Sequence, residues 1–121
     1  MSEIYAQIYK IVQTIPKGKV LTYGLISHLI GGRMSAQGVG WALKALGSGK
    51  TKKDYDSNNV PWHRVVNAQG GTSTHKVGLP PDLQRQLLEA EGVKFNKEDK
   101  LDLDKYLWKE FSKSSKLLNF N

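Results

Sequence analysis

The chain has 121 residues, 39% of them hydrophobic, which is enough for one small domain. It contains no cysteine, which excludes disulfides, thiolate metal sites and a cysteine nucleophile, and with no apolar run of about 18 residues we expect no membrane span. The 18 Lys and Arg against 11 Asp and Glu give a net charge of +7, the usual footprint of a nucleic-acid partner, although a basic protein without a polyanionic partner stays possible.

The first third of the chain predicts two helices separated by a sharp break. Residues 3–14 carry apolar side chains at helical spacing, and Pro16 and Gly18 end that helix. Thr22 is placed to cap a second, shorter helix, which the glycines at 31–32 terminate. Both signals are local and do not depend on the tertiary fold.

A third helix follows Ser35, which can cap it. One face of this helix carries apolar residues: Val39, Ala42, Leu43 and Leu46. Two short helices joined by a glycine-containing turn predict a helix-turn-helix, with the second as recognition helix. Its other face, which we expect to be exposed, has the small residues Ala36, Gly38 and Gly40, suited to close approach of DNA or of another helix.

The rest of the chain predicts shorter elements. A polar loop is expected over 47–59, and the stretch after Val65-Val66 is typical of a strand and turn. Asp82 is placed to cap a helix over about 83–91, with Gly92 as its stop. That helix should turn three residues inward: Leu83, Leu87 and Leu88. Apolar residues at 101–108 form a last cluster before a tail at 112–121.

Five motifs occur in order along residues 3–110. They are Ile15-Pro16-x-Gly18-Lys19-Val20-x-Thr22-Tyr23-Gly24, Val39-Gly40-x-Ala42-Leu43, Pro61-Trp62-His63-Arg64-Val65-Val66, Gln84-Arg85-Gln86-Leu87-Leu88-Glu89-Ala90-Glu91-Gly92-Val93 and Tyr106-Leu107-Trp108. Together they resemble the O6-alkylguanine-DNA alkyltransferases, and most closely their alkyltransferase-like branch. The resemblance implies a mainly α fold, a winged helix-turn-helix-like alkyltransferase C-terminal domain with short strands, over residues 1–111.

The position that carries the chemistry in that family is changed in this chain. The family has a cysteine after the pocket proline, and it takes the alkyl group from damaged guanine; here the residue is Trp62. Indole cannot replace a thiolate as nucleophile. The resemblance therefore implies a protein that is not an enzyme. It would bind O6-alkylguanine in double-stranded DNA by flipping the nucleotide into a pocket, and would flag the lesion for nucleotide excision repair.

The resemblance also implies residues that contact DNA or the lesion. Tyr23 matches the tyrosine that rotates the damaged nucleotide out of the helix, and Trp62 would line the lesion pocket, with a buried core tryptophan as the alternative. Further contacts are expected around the start of the recognition helix, at Arg33, Ser35, Ala36, Gln37 and Gly38.

Other residues are expected to form the scaffold of the pocket. His63 and Glu91 match the pair that activates the cysteine in true transferases, and with no thiol they would hold the pocket by hydrogen bonding. Pro61 belongs to the same signature, and Asn67 would order the turn beneath the pocket. Arg64 is assigned a structural role first and a phosphate contact second.

Two positions depart from the family pattern. The family inserts an arginine finger into the duplex, and this chain has Gln37 there, which has no charge and stacks less well. In the loop where the branch often has a lesion-sensing arginine, this chain has His75 and Lys76. A histidine there would make recognition depend on pH, whereas a loop histidine in solvent would not.

Two other function classes stay open from the residues alone. A helix-turn-helix transcription regulator would fit the charge and the recognition helix, and an enzyme could use His63 and Glu91 for acid–base work on a damaged base. We expect no metal, no cofactor and no membrane partner. We also expect a monomer that resides in the cytoplasm, associated with the nucleoid, if bacterial, or in the nucleus if eukaryotic.

Overall fold

The structure, a computed structural model, describes residues 3–48, 54–72 and 82–109. Three predicted features lie outside these ranges: His75 with Lys76, the part of the predicted 47–59 loop that covers residues 49–53, and the predicted tail at 112–121. The domain boundary at residue 111 therefore stays a prediction. Across the described ranges, no helix combines the length and apolarity needed to cross a membrane.

Helix α1 spans Glu3–Thr14, with the predicted bounds. Its inward face buries four side chains: Ile8, Tyr9, Ile11 and Val12. The Tyr9 hydroxyl donates a hydrogen bond of 2.5 Å to the carbonyl oxygen of Ala42, and burial raises the pKa of this phenol. This bond joins α1 to the third helix. It also satisfies a polar group that burial would otherwise leave unpaired.

Helices α2 (Tyr23–Leu29) and α3 (Ala36–Ser48) form the helix-turn-helix pair. Both predicted caps are confirmed. Thr22 Oγ1 accepts a hydrogen bond of 3.2 Å from the Leu25 amide, and Ser35 Oγ accepts one of 3.1 Å from the Gly38 amide. Each cap satisfies an amide that the first helical turn leaves without a partner. The recognition helix α3 continues two residues into the loop predicted to begin at residue 47.

The two faces of α3 differ from the prediction in one respect. The apolar face is buried as expected: Val39, Ala42, Leu43 and Leu46. Gly38, however, is buried rather than exposed, and a Cβ on it would lie 2.3 Å from Cγ of Met34. Its lack of a side chain therefore makes room for Met34. The exposed surface of the helix begins with Ala36 and Gln37.

A two-stranded parallel sheet links the two halves of the chain. Strand β1 (Leu21–Thr22) pairs with β2 (Val65–Val66), with Leu21 opposite Val65. A single 3-10 turn, Trp62–Arg64, immediately precedes β2. The sheet thus fixes the Pro-Trp-His-Arg segment beside the start of the helix-turn-helix, although the two lie about forty residues apart in sequence.

Helices α4 (Leu83–Ala90) and α5 (Leu103–Tyr106) complete the fold. Leu88 is fully buried, Leu83 and Leu87 pack on the main core, and Gly92 adopts a φ of +94° beyond the end of α4, as predicted. The prediction that Asp82 caps α4 was wrong. Its backbone is already helical, at φ −95° and ψ −1°, and its side chain accepts no capping bond. A capping residue needs extended backbone to turn its oxygen toward the free amides.

The core lies in two adjoining clusters. The larger one joins the inward faces of α1, α2 and α3 to Trp62 and Val65. The smaller one lies under α4 and the C-terminal segment: Val20, Val66, Leu88, Val93, Leu101 and Tyr106. The architecture is mainly helical with short strands, which confirms the predicted fold class.

Candidate nucleic-acid interface

Glu91, at the end of α4, is the centre of a buried polar network. Its Oε2 accepts hydrogen bonds from Arg64 Nη2 at 2.7 Å and from His63 Nε2 at 2.8 Å, and its Oε1 accepts one from the Gly18 amide at 3.1 Å. Gly18 adopts a φ of +83°, a conformation that favours glycine. Three of the motifs noted in the sequence therefore converge on one carboxylate.

Electrostatics fixes the protonation states of this network. Burial acts to raise the pKa of Glu91, but hydrogen bonds from Arg64, His63 and the Gly18 amide outweigh it and lower the pKa to about 2. Burial, aided by the charge of Arg64, lowers the pKa of His63 below its usual 6.5 although Glu91 acts to raise it. At neutral pH His63 is thus uncharged, with its Nε2 proton directed at the carboxylate and Nδ1 left as an acceptor.

Arg64 is bound within the protein. Beyond its bonds to Glu91, its Nη1 donates 2.8 Å to the carbonyl oxygen of Ile15, so Nε, Nη1 and Nη2 all have internal partners. This agrees with the structural role expected first for Arg64. The geometry gives no support to the phosphate contact expected second, because the guanidinium is turned toward the protein.

Gln84 is a scaffold residue that the sequence did not single out. Its side chain is only 1% exposed, and Nε2 donates to the carbonyl oxygens of His63 at 3.1 Å and Val65 at 2.7 Å. These bonds hold the 3-10 turn and β2 against α4. The signal was present in the sequence, since Gln84 lies four residues before Leu88 and so on the inward face of an amphipathic helix.

Trp62 belongs to both the core and a cleft. It is 5% exposed, and its ring lies edge-on to the His63 ring, with centroids 6.0 Å apart. A cleft of about 620 Å³ borders it, with walls formed by Gln13, Ser57, Asn58, Asn59, Pro61, Trp62, His63, Arg64, Leu83 and Leu87. The two roles considered for Trp62, core residue and pocket wall, therefore both apply.

A second cleft, of about 660 Å³, opens on the exposed side of α3. It is lined by Tyr23, Gly24, Ala36, Gln37, Gly40, Trp41, Lys44, Asn67 and Ala68, none of which is acidic. Tyr23 and Gln37, which the family resemblance pairs in nucleotide flipping, thus share one surface. Gly40 lies beside Tyr23: a Cβ there would be 3.9 Å from the Tyr23 ring, an ordinary van der Waals contact. Trp62 does not line this cleft.

Asn67 and Arg33, two other predicted site residues, differ in their relation to these clefts. Asn67 Oδ1 accepts hydrogen bonds from the amides of Gln69 at 2.9 Å and Gly71 at 2.8 Å, which fits its predicted role in ordering the turn. Arg33 Nε donates 2.9 Å to the carbonyl oxygen of Ile30, and Nη2 bonds to Gln7. Arg33 is therefore directed toward the end of α2, and it does not line the cleft that holds Gln37.

Trp41 lies on the same surface and was not among the predicted site residues. It is 59% exposed, and among the described residues it is the only large hydrophobic side chain at the surface. Its position four residues after Gln37 on a predicted recognition helix was the available signal.

For metals, the described parts of the chain contain no cluster of three or more His, Cys, Asp or Glu side chains.

Comparison with known proteins identifies a close set of relatives. The sequence profile described as the DNA-binding domain of 6-O-methylguanine DNA methyltransferase matches residues 3–93. The chain is 38% identical over 113 residues to alkyltransferase-like protein 1 of Schizosaccharomyces pombe, covering 90% of this chain and 97% of that protein. It is 40% identical over 108 residues to a DNA base-flipping protein of Vibrio parahaemolyticus, covering 89% of this chain and 98% of the relative.

The fold matches a solved structure of the same kind. The crystal structure of S. pombe Atl1 in complex with damaged DNA containing O6-carboxymethylguanine superposes with a TM-score of 0.71 at 36% identity. The match covers 90% of this chain and 97% of that one.

Proposed function

The chain belongs to the family of the DNA-binding domain of 6-O-methylguanine DNA methyltransferase, and from this premise we propose that it binds DNA carrying O6-alkylguanine and flips the damaged nucleotide without removing the alkyl group. One observation carries the proposal. The residue in the place of the nucleophile is Trp62, while the neighbouring His63 and Glu91 retain a hydrogen bond of 2.8 Å. The pocket has kept its framework and has no thiolate to accept an alkyl group.

Binding starts from the charge of the chain. A net charge of +7 attracts the protein to the phosphate backbone and allows it to scan undamaged DNA. The surface of α3 then lies against the duplex, where Tyr23 and Gln37 line one cleft whose described residues include no acidic side chain. Turning a nucleotide out of the stack costs a few kcal/mol, and an alkylated, poorly paired guanine lowers that cost. Selectivity for the lesion therefore arises partly from the DNA itself.

The chemistry of the pocket supports recognition rather than reaction. His63 uses its Nε2 proton on Glu91, and the carboxylate already accepts hydrogen bonds from Arg64 and Gly18. An acid–base enzyme needs a carboxylate or imidazole free to exchange protons near the operating pH, and a Glu91 pKa of about 2 is far from it. This disfavours Glu91 as the acid or base of a reaction on a damaged base.

A transcription regulator is disfavoured by the surface of α3. Direct reading of base edges depends on Arg, Asn and Gln side chains. The cleft side of α3 offers Gln37 and Lys44 as its polar side chains, together with Trp41 and small residues. Such a surface suits groove contact and insertion better than discrimination among base sequences.

The proposal extends to partners and location. We propose that the protein binds DNA as a monomer and that its complex with the lesion recruits nucleotide excision repair proteins, because a chain without a nucleophile leaves the alkyl group in place. Its place in the cell would be where the genome is, namely the nucleoid-bearing cytoplasm of a bacterium or the nucleus of a eukaryote.

One experiment tests the central proposal. The protein is mixed with a duplex containing O6-methylguanine and with the same duplex undamaged; binding is measured by fluorescence anisotropy, and protein and DNA are then analysed by mass spectrometry. We expect preferential binding to the damaged duplex with no mass change in either component. A methylated protein or an abasic product would overturn the proposal, and binding that depends on sequence regardless of damage would favour a regulator.

A further inference from the structure

Trp41 stands out from everything around it on the surface of α3. Its indole is 59% exposed, whereas neighbouring cleft residues on the same helix are the small Ala36 and Gly40. A single exposed apolar residue is ordinary on a protein surface. Trp41, however, lines the same cleft as Tyr23 and Gln37. An exposed indole beside these two residues is placed to contact whatever binds in the cleft.

Helical geometry aligns Trp41 with the position of the family's inserted finger. Gln37 precedes it by four residues and Lys44 follows it by three, spacings that place all three on one side of α3. The rise per residue puts Trp41 about 6 Å along the helix axis from Gln37, less than twice the spacing between base pairs. A duplex contacted by Gln37 is thus within reach of the indole.

The charge of this surface selects DNA as the occupant over a second copy of the chain. None of the described residues that line the cleft is acidic, α3 contains no Asp or Glu, and Lys44 lines the same cleft as the indole. A second copy with a net charge of +7 would be repelled, whereas a polyanion would be attracted.

Resting on the function proposed above, we propose that Trp41 is an aromatic wedge that enters the duplex from the surface of α3 and stacks at the base step beside the vacated position. Apolar side chains inserted between base steps are an established means of unstacking DNA. Gln37 supplies hydrogen bonds to the unpaired base but little stacking area, and Trp41 supplies the stacking surface. In this chain the finger's task is shared by two side chains one helical turn apart.

The test compares three substitutions at position 41 for binding to the O6-methylguanine duplex and its undamaged counterpart. We expect Trp41→Ala to weaken binding to the damaged duplex by about 10- to 100-fold, the range for loss of one stacked base, and Trp41→Phe to stay within about 3-fold. Trp41→Lys should not restore binding, although it adds charge. Wild-type affinity in Trp41→Ala, or full restoration by Lys, would overturn the wedge.

Two comparisons of these affinities separate this inference from the proposed function. The preference of the wild-type protein for damaged DNA tests the function, whereas the difference between Trp41→Ala and Trp41→Phe tests the wedge. A 2-aminopurine placed beside the lesion should fluoresce less in the complex with the wild-type protein than in the complex with Trp41→Ala, because only the wild-type indole stacks on it. If sedimentation instead shows a wild-type dimer that Trp41→Ala dissociates, Trp41 serves self-association and the wedge is wrong. Lys10→Ala, on the exposed side of α1, shows how far one charge away from α3 alters binding, which is the baseline for the charge added by Trp41→Lys.

Discussion

The network around Glu91 and the exposed side of α3 differ in where their side chains find partners: within the protein in the network, and in solvent on α3. The Glu91 side chain is 9% exposed and accepts hydrogen bonds from His63, Arg64 and Gly18, while Trp41 on α3 stands in solvent. The first region is fixed by bonds within the protein, and the second offers groups to a partner. The hydrogen bonds of His63 and Glu91 are thus all made within the protein, and we propose that recognition depends on the surface beside them.

Two tryptophans give the sharpest test of this contrast. We expect Trp62→Ala to lower the free energy of unfolding by about 3–5 kcal/mol, because it leaves a cavity in the main core. Trp41→Ala should change it by less than about 0.5 kcal/mol, because the indole is mostly in solvent. Denaturant titration of both variants measures the difference. Equal losses would mean that the two regions are not distinct in the way described.

The variant Trp62→Cys tests whether a thiol at this position can accept an alkyl group. If His63 and Glu91 still hold working geometry, the new thiol should accept a methyl group from O6-methylguanine, seen as an added methyl mass on the protein. Trp62→Ser is the control, because serine is similar in size to the introduced cysteine and has no thiol. A stable, DNA-binding Trp62→Cys that stays unmodified would show that the network is now purely structural.

Removal of the carboxylate tests the network directly. Glu91→Gln should lower the free energy of unfolding by about 3 kcal/mol, because it leaves the guanidinium of Arg64 largely buried without its counter-charge. Glu89→Gln is the matched control on the same helix. The ion pair of Glu89 with Arg85, 3.4 Å long and partly exposed, should contribute under about 1 kcal/mol. Comparable losses in both variants would contradict the central role of Glu91.

Acid should weaken the same region. The pKa of Glu91 is lowered to about 2, so its stabilisation is present above the ordinary value near 4.5 and is lost as the pH falls toward 2. The lowered pKa of His63 acts in the same direction, starting below its ordinary 6.5. Unfolding followed at pH 7, 5 and 3 should show a steeper loss for the wild-type protein than for Glu91→Gln. Parallel curves would rule out Glu91 as a source of the acid sensitivity.

The smallest expected effect concerns the exposed surface. Gln37→Arg should tighten binding to the O6-methylguanine duplex by about 3- to 10-fold and steepen its salt dependence by about one phosphate contact, because it adds a charge and a stacking plane. Gln86→Arg, at an exposed position of α4 that lines neither cleft, adds the same charge away from α3. Tighter binding in both variants to the same degree would indicate general attraction rather than insertion.

Local features of the fold were predictable because they depend on neighbours in the chain. The caps at Thr22 and Ser35 and the stop at Gly92 need only a side-chain oxygen, or a missing side chain, at the right spacing. Asp82 shows the limit of such reasoning. It has a suitable side chain, but its own backbone is already helical, so its oxygen does not cap the free amides of α4.

The sequence by itself determined the absence of a thiol nucleophile, the basic charge and the presence of the pocket motif. Only the tertiary structure decided that Gly18, His63 and Arg64 meet at Glu91, that Gln84 supports them, and that Gly38 makes room for Met34. It likewise separated Trp62 in the core from Trp41 in solvent. The reason is physical: chemistry belongs to a residue type, whereas burial and hydrogen-bond partners depend on which distant segments pack over it.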